Sequence, residues 1–318
     1  MRTRFRLVDG LSARVAGATT GLFSHGPPPL ADTLSYRGDP GLFGPDSVTW
    51  PVIGDPAVFV GGIRALLVQA AHPEVAAGVA DHSRYRNDPL GRLSRTAAYV
   101  TATAFGAMPE VEEAIALVRR HHRPVVGISH RGEAYDADAP DLAAWVHNSL
   151  AESFLAAYRA YGIRPLSDAD ADHYAREQAR LGALHGAQPL PTTAAELSAW
   201  IEDHPRLAPS PGQREAIEFL RRPPLPFGVR VAYGFLFRAA VATLPLRIRE
   251  IIGVRVRPGA VVLGRMTNLL LRRFLGASPS WRVALARMGA PEPAGVPFRQ
   301  PLPPGAREGT DPAPAGPR

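Results

Sequence analysis

Helical hydrophobic patterning runs almost unbroken from about residue 56 to about residue 275, and it constrains the fold more than any other feature. Apolar residues recur every three to four positions, the spacing of helices that bury one face. Strand-like segments are confined to residues 125–128 and 254–257. We therefore predict an all-α fold, a single large globular domain with helices at about 56–80, 90–106, 109–123, 139–162, 167–186, 193–203, 212–222, 229–242, 244–253 and 259–275.

Glycine and proline mark both ends of this helical domain, which we predict over residues 50–300. Residues 1–49 predict an irregular N-terminal arm with one short helix near its start. Residues 301–318 are rich in proline and glycine and predict a disordered tail. No apolar run reaches the roughly 18 residues of a membrane-spanning helix. Asp9, Ser12 and Arg14 interrupt any signal-peptide core, so we expect a cytoplasmic protein.

Two residue types are missing from the sequence, and their absence excludes several kinds of chemistry. Without cysteine the chain cannot form disulfides, use thiol catalysis or bind a metal through sulfur. All 36 basic side chains are arginine, which excludes a Schiff-base lysine and a P-loop lysine. Zinc-protease, nucleophile-elbow and dinucleotide-binding motifs are also absent, which argues against hydrolases and dehydrogenases.

The net charge of +7 raises the question of an anionic partner. Most arginines are scattered among acids, which indicates a compositional bias, and we expect no binding to nucleic acid. A separate basic strip from Arg221 to Arg255 is a candidate for peripheral contact with a membrane.

His122 continues the apolar face of the predicted helix 109–123. Val111, Ile115 and Val118 share that face and His122 is its next position, whereas His121 is rotated by about 100°. A buried imidazole needs a partner for each ring nitrogen. A haem iron plus a carbonyl would supply both partners, but so would hydrogen bonds within an ordinary core. The spacing alone leaves both interpretations open.

Arg92, Arg95 and Thr96 form a second candidate group. Their spacing puts the three side chains on one face of the predicted helix 90–106. If this face points inward, the two guanidinium groups and the hydroxyl can pair with haem propionates or polarise bound dioxygen. If it points outward, it is an ordinary solvated surface, and the pattern leaves both options open.

His147 and two groups of acids are the remaining candidates. His147 lies on the flank of the apolar face of the predicted helix 139–162, where a ligand role and a structural role are both open. The acids within 136–141 and 168–172 lie at predicted helix starts, where the helix dipole favours negative charge. No metal is needed to explain these acids.

The ordered set of motifs between about residues 45 and 275 resembles the MpaB/rubber oxygenase family. The matching positions are Trp50, Gly54-Asp55-Pro56, Arg64, Gln69, His72-Pro73, Arg92-x-x-Arg95-Thr96, His122-x-x-Val125-x-Gly127, Tyr135, Trp145-Val146-His147 and Leu244-Pro245-Leu246-Arg247-x-Arg249-Glu250-x-x-Gly253. The resemblance implies a helical fold around a b-type haem. It also implies that molecular oxygen is used on a hydrophobic, unsaturated, isoprenoid-like substrate.

Carried across by motif, the resemblance assigns roles to the candidate residues. His122 would be the proximal iron ligand, and Arg92, Arg95 and Thr96 would lie on the distal side of the haem; we add His147 to the cofactor-binding set. Rubber-cleaving members have a lysine where this chain has Arg95. Arginine has no lone pair for the iron and can only donate hydrogen bonds. The substitution argues against polyisoprene cleavage but not against haem binding.

Two other functions stay open from the sequence. A haem-binding sensor or carrier would keep His122 but would lack an open distal side and a substrate channel. A helical, membrane-associated interaction protein would use the strip from Arg221 to Arg255 without any cofactor. The acid that some members of the family use as a base has no firm match, although Glu74 lies nearby in sequence.

Overall fold

The computed structural model describes residues 30–300 and 302, and its regular structure is almost entirely helical. A two-stranded antiparallel sheet, β1 (Val126–Ile128) and β2 (Ala134–Asp136), joins the fifth and sixth helices. The all-α prediction is confirmed. The α-helices in this part of the chain are α1 (Thr49–Gly54), α2 (Ala57–Gln69), α3 (Pro73–His82), α4 (Pro89–Phe105), α5 (Met108–His122), α6 (Pro140–Tyr161), α7 (Asp168–Leu184), α8 (Ala194–Asp203), α9 (Pro211–Arg221), α10 (Phe227–Ala242), α11 (Leu246–Ile252), α12 (Ala260–Phe274) and α13 (Pro279–Met288).

The starts of α5 and α7 lie within one residue of the predicted starts at 109 and 167, and local capping residues define them. Ser167 accepts a hydrogen bond from the Asp170 amide at the start of α7, and the Asp170 carboxylate accepts one from the Ser167 amide. Pro109 lies in the first turn of α5, followed by Glu110, whose carboxylate accepts from the Ala107 amide. Local capping chemistry therefore fixes both starts.

Several predicted elements differ from the structure. The predicted helix 56–80 is wrong as a single element, because the chain turns at residues 70–72 and Pro73, which has no amide hydrogen, begins α3. Helices α1 and α13 were not predicted, since 6 and 10 residues give little periodicity. Residues 126–128 do form a strand, whereas residues 254–257 do not.

The longest helix, α6, forms the centre of the core. It packs closely along α2, because Gly61 has no side chain: a Cβ there would lie 2.6 Å from Cδ1 of Phe154. One buried cluster joins α6 to α2, α10 and α11, and a second joins it to α1, α7 and α13. Side chains on α6 are thus held between two packed layers.

The described part of the N-terminal arm contains a 3₁₀ turn at Thr33–Ser35 and is bound to α13. The buried guanidinium of Arg287 donates hydrogen bonds to the carbonyls of Asp39 and Phe105, at 2.8 and 2.7 Å. The predicted short helix near the start and all but residue 302 of the predicted tail lie outside the described residues. Between residues 30 and 300, no helix combines the length and apolarity that a membrane span requires.

Candidate functional site

His122 is the last residue of α5, and its imidazole is half-buried. Val111 and Ile115 are buried on the same helix face, whereas the neighbouring His121 is exposed and its Nδ1 lies 2.9 Å from the Leu117 carbonyl oxygen. Neither ring nitrogen of His122 has a hydrogen-bond partner among the described residues. Burial lowers the pKa of His122, although Asp138 opposes this shift. At neutral pH the ring is therefore uncharged and has a free lone pair.

Tyr99 and His185 lie close to His122. The Tyr99 hydroxyl is 2.7 Å from Nε2 of His185, and the two rings meet edge to face. Burial, together with the nearby His147 and His122, lowers the pKa of His185 to about 4. Burial also raises the pKa of Tyr99, so the phenol keeps its proton, and two neutral groups share this hydrogen bond. Three uncharged histidines thus share one region of the molecule.

His147 is buried in α6 and is bound to the backbone of α7. Its Nε2 lies 2.7 Å from the Gln178 carbonyl oxygen, and because a carbonyl can only accept, Nε2 carries the proton. Burial lowers the pKa of His147 to about 4. Gly182 allows α7 to pass close to this ring, since a Cβ there would lie 2.7 Å from Cδ2 of His147. Nε2 of His147 is thus already hydrogen-bonded to the backbone of α7, and the ring forms part of the wall of the cavity described next.

A narrow cavity lies between α4, α6 and α7, with His147 in its wall. Its volume is about 20 Å³, little more than one water molecule occupies. A porphyrin does not fit this space as it stands. The polar part of the wall comes from Thr49, Tyr99, Thr103, His147 and Gln178, and the apolar part from Phe43, Ile53, Val100, Ala104, Leu150, Phe154 and Leu181.

Arg92, Arg95 and Thr96 do not all face the same environment. Arg92 is half-buried, with its guanidinium carbon 5.9 Å from the centre of the Tyr85 ring, and within the described residues it has no ion-pair partner. Arg95 is exposed and forms an ion pair of 3.2 Å with Asp88. Thr96 is also exposed, and its hydroxyl donates to the Arg92 carbonyl at 3.1 Å. Of the three, Arg92 alone has a polar group that is both half-buried and unpaired in the described structure.

Glu74 is fully buried and held by other side chains. Arg131 donates to both carboxylate oxygens, at 3.0 and 2.6 Å, and the Ser129 hydroxyl donates at 3.0 Å. Burial alone would raise the pKa of Glu74, but these hydrogen bonds outweigh it, and the pKa is lowered. A carboxylate held in this way is a poor proton acceptor, so the geometry gives no support to Glu74 as a base.

Tyr99 and His185 were not among the predicted site residues. On the sequence, Tyr99 counts as one of the apolar positions around its helix, and His185 simply precedes a glycine at a helix end. The two residues are 86 positions apart, and no local periodicity reveals a contact over that distance. A search for histidines at helix ends next to glycine would have singled out His185.

Comparison with protein families adds the decisive observation. A family model described as "ER-bound oxygenase mpaB/B'/Rubber oxygenase, catalytic domain" matches residues 50–277, which include all the residues of this site except Phe43 and Thr49. The chain belongs to this oxygenase family. Comparison with curated proteins and with solved structures found no match. The resemblance seen in the motifs is confirmed, and the MpaB/rubber oxygenase domain extends from α1 to just beyond α12.

Neither His122 nor Arg92 lines the cavity, but the chemistry of these two side chains fits a haem, whereas the cavity is too small for one. His122 supplies an uncharged imidazole with unpaired nitrogens, and Arg92 supplies a cation for an acidic group such as a propionate. The apolar part of the cavity wall suits a macrocycle. Since about 20 Å³ does not admit a porphyrin, a helix bordering the cavity has to move before one can bind there.

Proposed function

We propose that this member of the MpaB/rubber oxygenase family is a haem b-dependent oxygenase that acts on a hydrophobic, unsaturated, isoprenoid-like substrate. The observation that carries the proposal is His122, a half-buried and uncharged imidazole without a hydrogen-bond partner among residues 30–300. Its ring nitrogens are not among the fully buried polar atoms, so they are open to a ligand from outside the protein. A haem iron at one ring nitrogen would be such a ligand.

The haem, when bound, would supply an iron that activates molecular oxygen. The residues of this chain would hold the haem and stabilise charge beside it. His122 would hold the iron, and Arg92, which stays protonated in proteins, would bind a propionate or stabilise negative charge that develops on oxygen. Arg95 would act on the site only after leaving Asp88. The Thr96 hydroxyl already donates to a backbone carbonyl and would offer its lone pairs to a water or ligand.

Tyr99 and His185 add a neutral hydrogen-bonded pair beside His122. The proton resides on the Tyr99 oxygen, because burial disfavours both a phenolate and an imidazolium here. The pair would fix the orientation of the His185 ring without placing a charge next to the iron-binding histidine. His147, bound to the Gln178 carbonyl, would border the cofactor rather than ligate it through Nε2.

The proposed substrate class rests on the apolar character of the site and on the family. Val100, Leu150 and Leu181 line the cavity, and the wall contains no residue with a formal charge. Such a surface favours an apolar substrate over a charged one.

An absorption spectrum tests the iron ligand directly. The protein expressed with haem supply is expected to show a Soret band, and His122→Ala should lose the haem or shift the band. His121→Ala is the matched control, because the neighbouring imidazole is exposed and already bonded to Leu117. Added imidazole should restore the spectrum of a His122→Gly variant. A His122→Ala protein with full haem content and an unchanged spectrum would refute the assignment.

Oxygen uptake separates an oxygenase from a haem carrier. The holoprotein should consume oxygen when an isoprenoid alkene is added, and Arg92→Gln should lower the rate by about ten- to a hundred-fold while the haem content stays near normal. A stable Soret band without oxygen uptake on any alkene would indicate a sensor or carrier instead.

A further inference from the structure

Helices α10 and α12 form a surface that is both strongly apolar and strongly basic. On α12, Gly264 and Asn268 are buried, and the face opposite them carries Val262, Met266 and Leu269, which are 61%, 57% and 65% exposed. Soluble domains rarely leave a run of large apolar side chains on the outer face of a helix. We name the exposed surface of α10 and α12 the apolar–arginine face.

The two helices form one continuous surface, because they pack directly against each other. A Cβ at Gly264 would lie 2.9 Å from Cβ of Ala239 in α10, so the helix backbones approach closely at this point. On α10, Phe227 and Val231 are also exposed, the former to 76%. Both helices therefore contribute large apolar side chains to the apolar–arginine face.

The segment that contains α10 and α12 carries the excess positive charge of the chain, and five of its arginines lie on these two helices: Arg230, Arg238, Arg265, Arg272 and Arg273. Residues 221–273 contain 11 arginines and a single acid, Glu250, whereas the remaining 25 arginines of the chain are outnumbered by 28 acids. The net positive charge of the chain thus comes entirely from this segment. Among these arginines, Arg272 alone forms an ion pair in the described structure, with Asp55.

We propose that the apolar–arginine face docks on the surface of an anionic lipid bilayer. Apolar side chains on the outer side of a helix enter the boundary between headgroups and acyl chains, and arginines at the edges bind the phosphate groups. Arg230 and Arg273 are exposed and have no ion-pair partner among the described residues. No helix between residues 30 and 300 can cross a bilayer, so the contact is peripheral.

The positive charge of the apolar–arginine face disfavours coverage by a second copy of the chain or by either end of the chain. A second copy of the chain packed symmetrically on it would bring two arginine-rich surfaces together without acids to neutralise them. Residues 1–29 carry four arginines and one acid, so they share the sign of the face. Residues 303–318 are balanced in charge and contain no large apolar side chain to cover it. Phospholipid headgroups provide the opposite charge.

Co-sedimentation with vesicles tests the proposal on the full chain. The protein should bind phosphatidylcholine vesicles that contain about one third phosphatidylserine, and salt should weaken the binding. It should bind pure phosphatidylcholine much more weakly. Absence of binding to the anionic vesicles, or equal binding to both, would overturn the proposal.

Charge variants test the arginines. Replacing Arg230 and Arg273 by glutamine should weaken binding to the anionic vesicles by about thirty-fold, since each arginine near the surface contributes about a fivefold factor. The control replaces Arg37 and Arg84, which are exposed elsewhere. If both double variants lose affinity equally, the attraction is non-specific and the face has no special role.

The absence of cysteine allows a direct test of insertion. A single cysteine at Met266, labelled with an environment-sensitive fluorophore, should show a blue shift and stronger emission when anionic vesicles are added. The control label at Ile128, which is 71% exposed on β1, should not respond. A change at Met266 that depends on protein concentration without lipid would instead identify the face as a contact between two copies.

Discussion

Arg64 shows how a residue of the family pattern serves the fold. Its buried guanidinium donates two hydrogen bonds to Glu152, one of 2.9 Å, and others to the Ser153 hydroxyl at 2.8 Å and the Thr243 carbonyl at 3.2 Å. These bonds join α2, α6 and the end of α10. The sequence singles out Arg64 as part of a motif, but its partners lie 88 to 179 positions away and no local pattern reveals them.

Removing the partner of Arg64 should destabilise the protein strongly. Glu152→Gln leaves the buried guanidinium without a countercharge, and we expect the free energy of unfolding to fall by about 3–5 kcal/mol. Urea unfolding monitored by circular dichroism measures this change. The control is Asp168→Asn, which removes the exposed ion pair with Arg159 and should change stability by less than about 1 kcal/mol. Similar losses in the two variants would contradict this account.

The site residues differ in how far the sequence could predict them. The apolar stripe of α5 identifies His122 as more buried than His121, because helix periodicity determines which positions share a face. Arg92, Arg95 and Thr96 share one helix face but not the same surroundings. The surroundings depend on where α4 lies relative to its neighbours. Arg95 faces Asp88 and solvent. Its role, like those of Arg92, Thr96 and His147, stays a prediction.

At the scale of elements, helix type and many boundaries could be predicted, whereas the cavity could not. Caps and prolines act locally, so the starts of α5 and α7 are visible in the sequence. The turn at residues 70–72 is marked only by Pro73, because apolar residues continue across it. The cavity depends on the distances between α4, α6 and α7, which come from packing over the whole core.

The helix that has to move for haem to bind is expected to be α4. It lines one side of the cavity with its second half, while its first half, with Leu93 and Arg95 exposed, is held less firmly than α6, which is enclosed between two packed layers. Haem loading should therefore change amide hydrogen exchange most in residues 89–105, and exchange in α6 should change little. Mass spectrometry of peptides from apo and haem-loaded protein measures the difference. Unchanged exchange in α4 with His122 ligated would mean that haem binds outside the cavity.

At the scale of the whole molecule, charge is divided unequally between two regions. The segment 221–273 carries the excess of arginine, and several histidines elsewhere are kept uncharged by burial. His72, His147, His185 and His204 all have a pKa lowered to about 4, with burial as the largest cause. These histidines make the folded state sensitive to acid in a way that composition does not indicate.

Protonation of His72 should make stability fall in a defined pH window. Burial, aided by His204, Arg206 and Arg131 and opposed by Glu74, lowers its pKa from 6.5 to about 4. The unfolded chain therefore binds a proton near pH 6.5 and the folded chain only near pH 4, so the free energy of unfolding falls as pH drops through this window and is constant above it. At pH 4.5 the loss due to His72 is about 2–3 kcal/mol relative to pH 7.5. Urea unfolding at the two pH values, with wild type and His72→Gln, measures this loss of stability.

The His72→Gln variant removes this proton uptake. Its free energy of unfolding should therefore fall less between pH 7.5 and pH 4.5 than that of the wild type, by about the amount due to His72, whatever the stability of the variant at pH 7.5. Equal losses in the two proteins would show that His72 is not held uncharged in the fold.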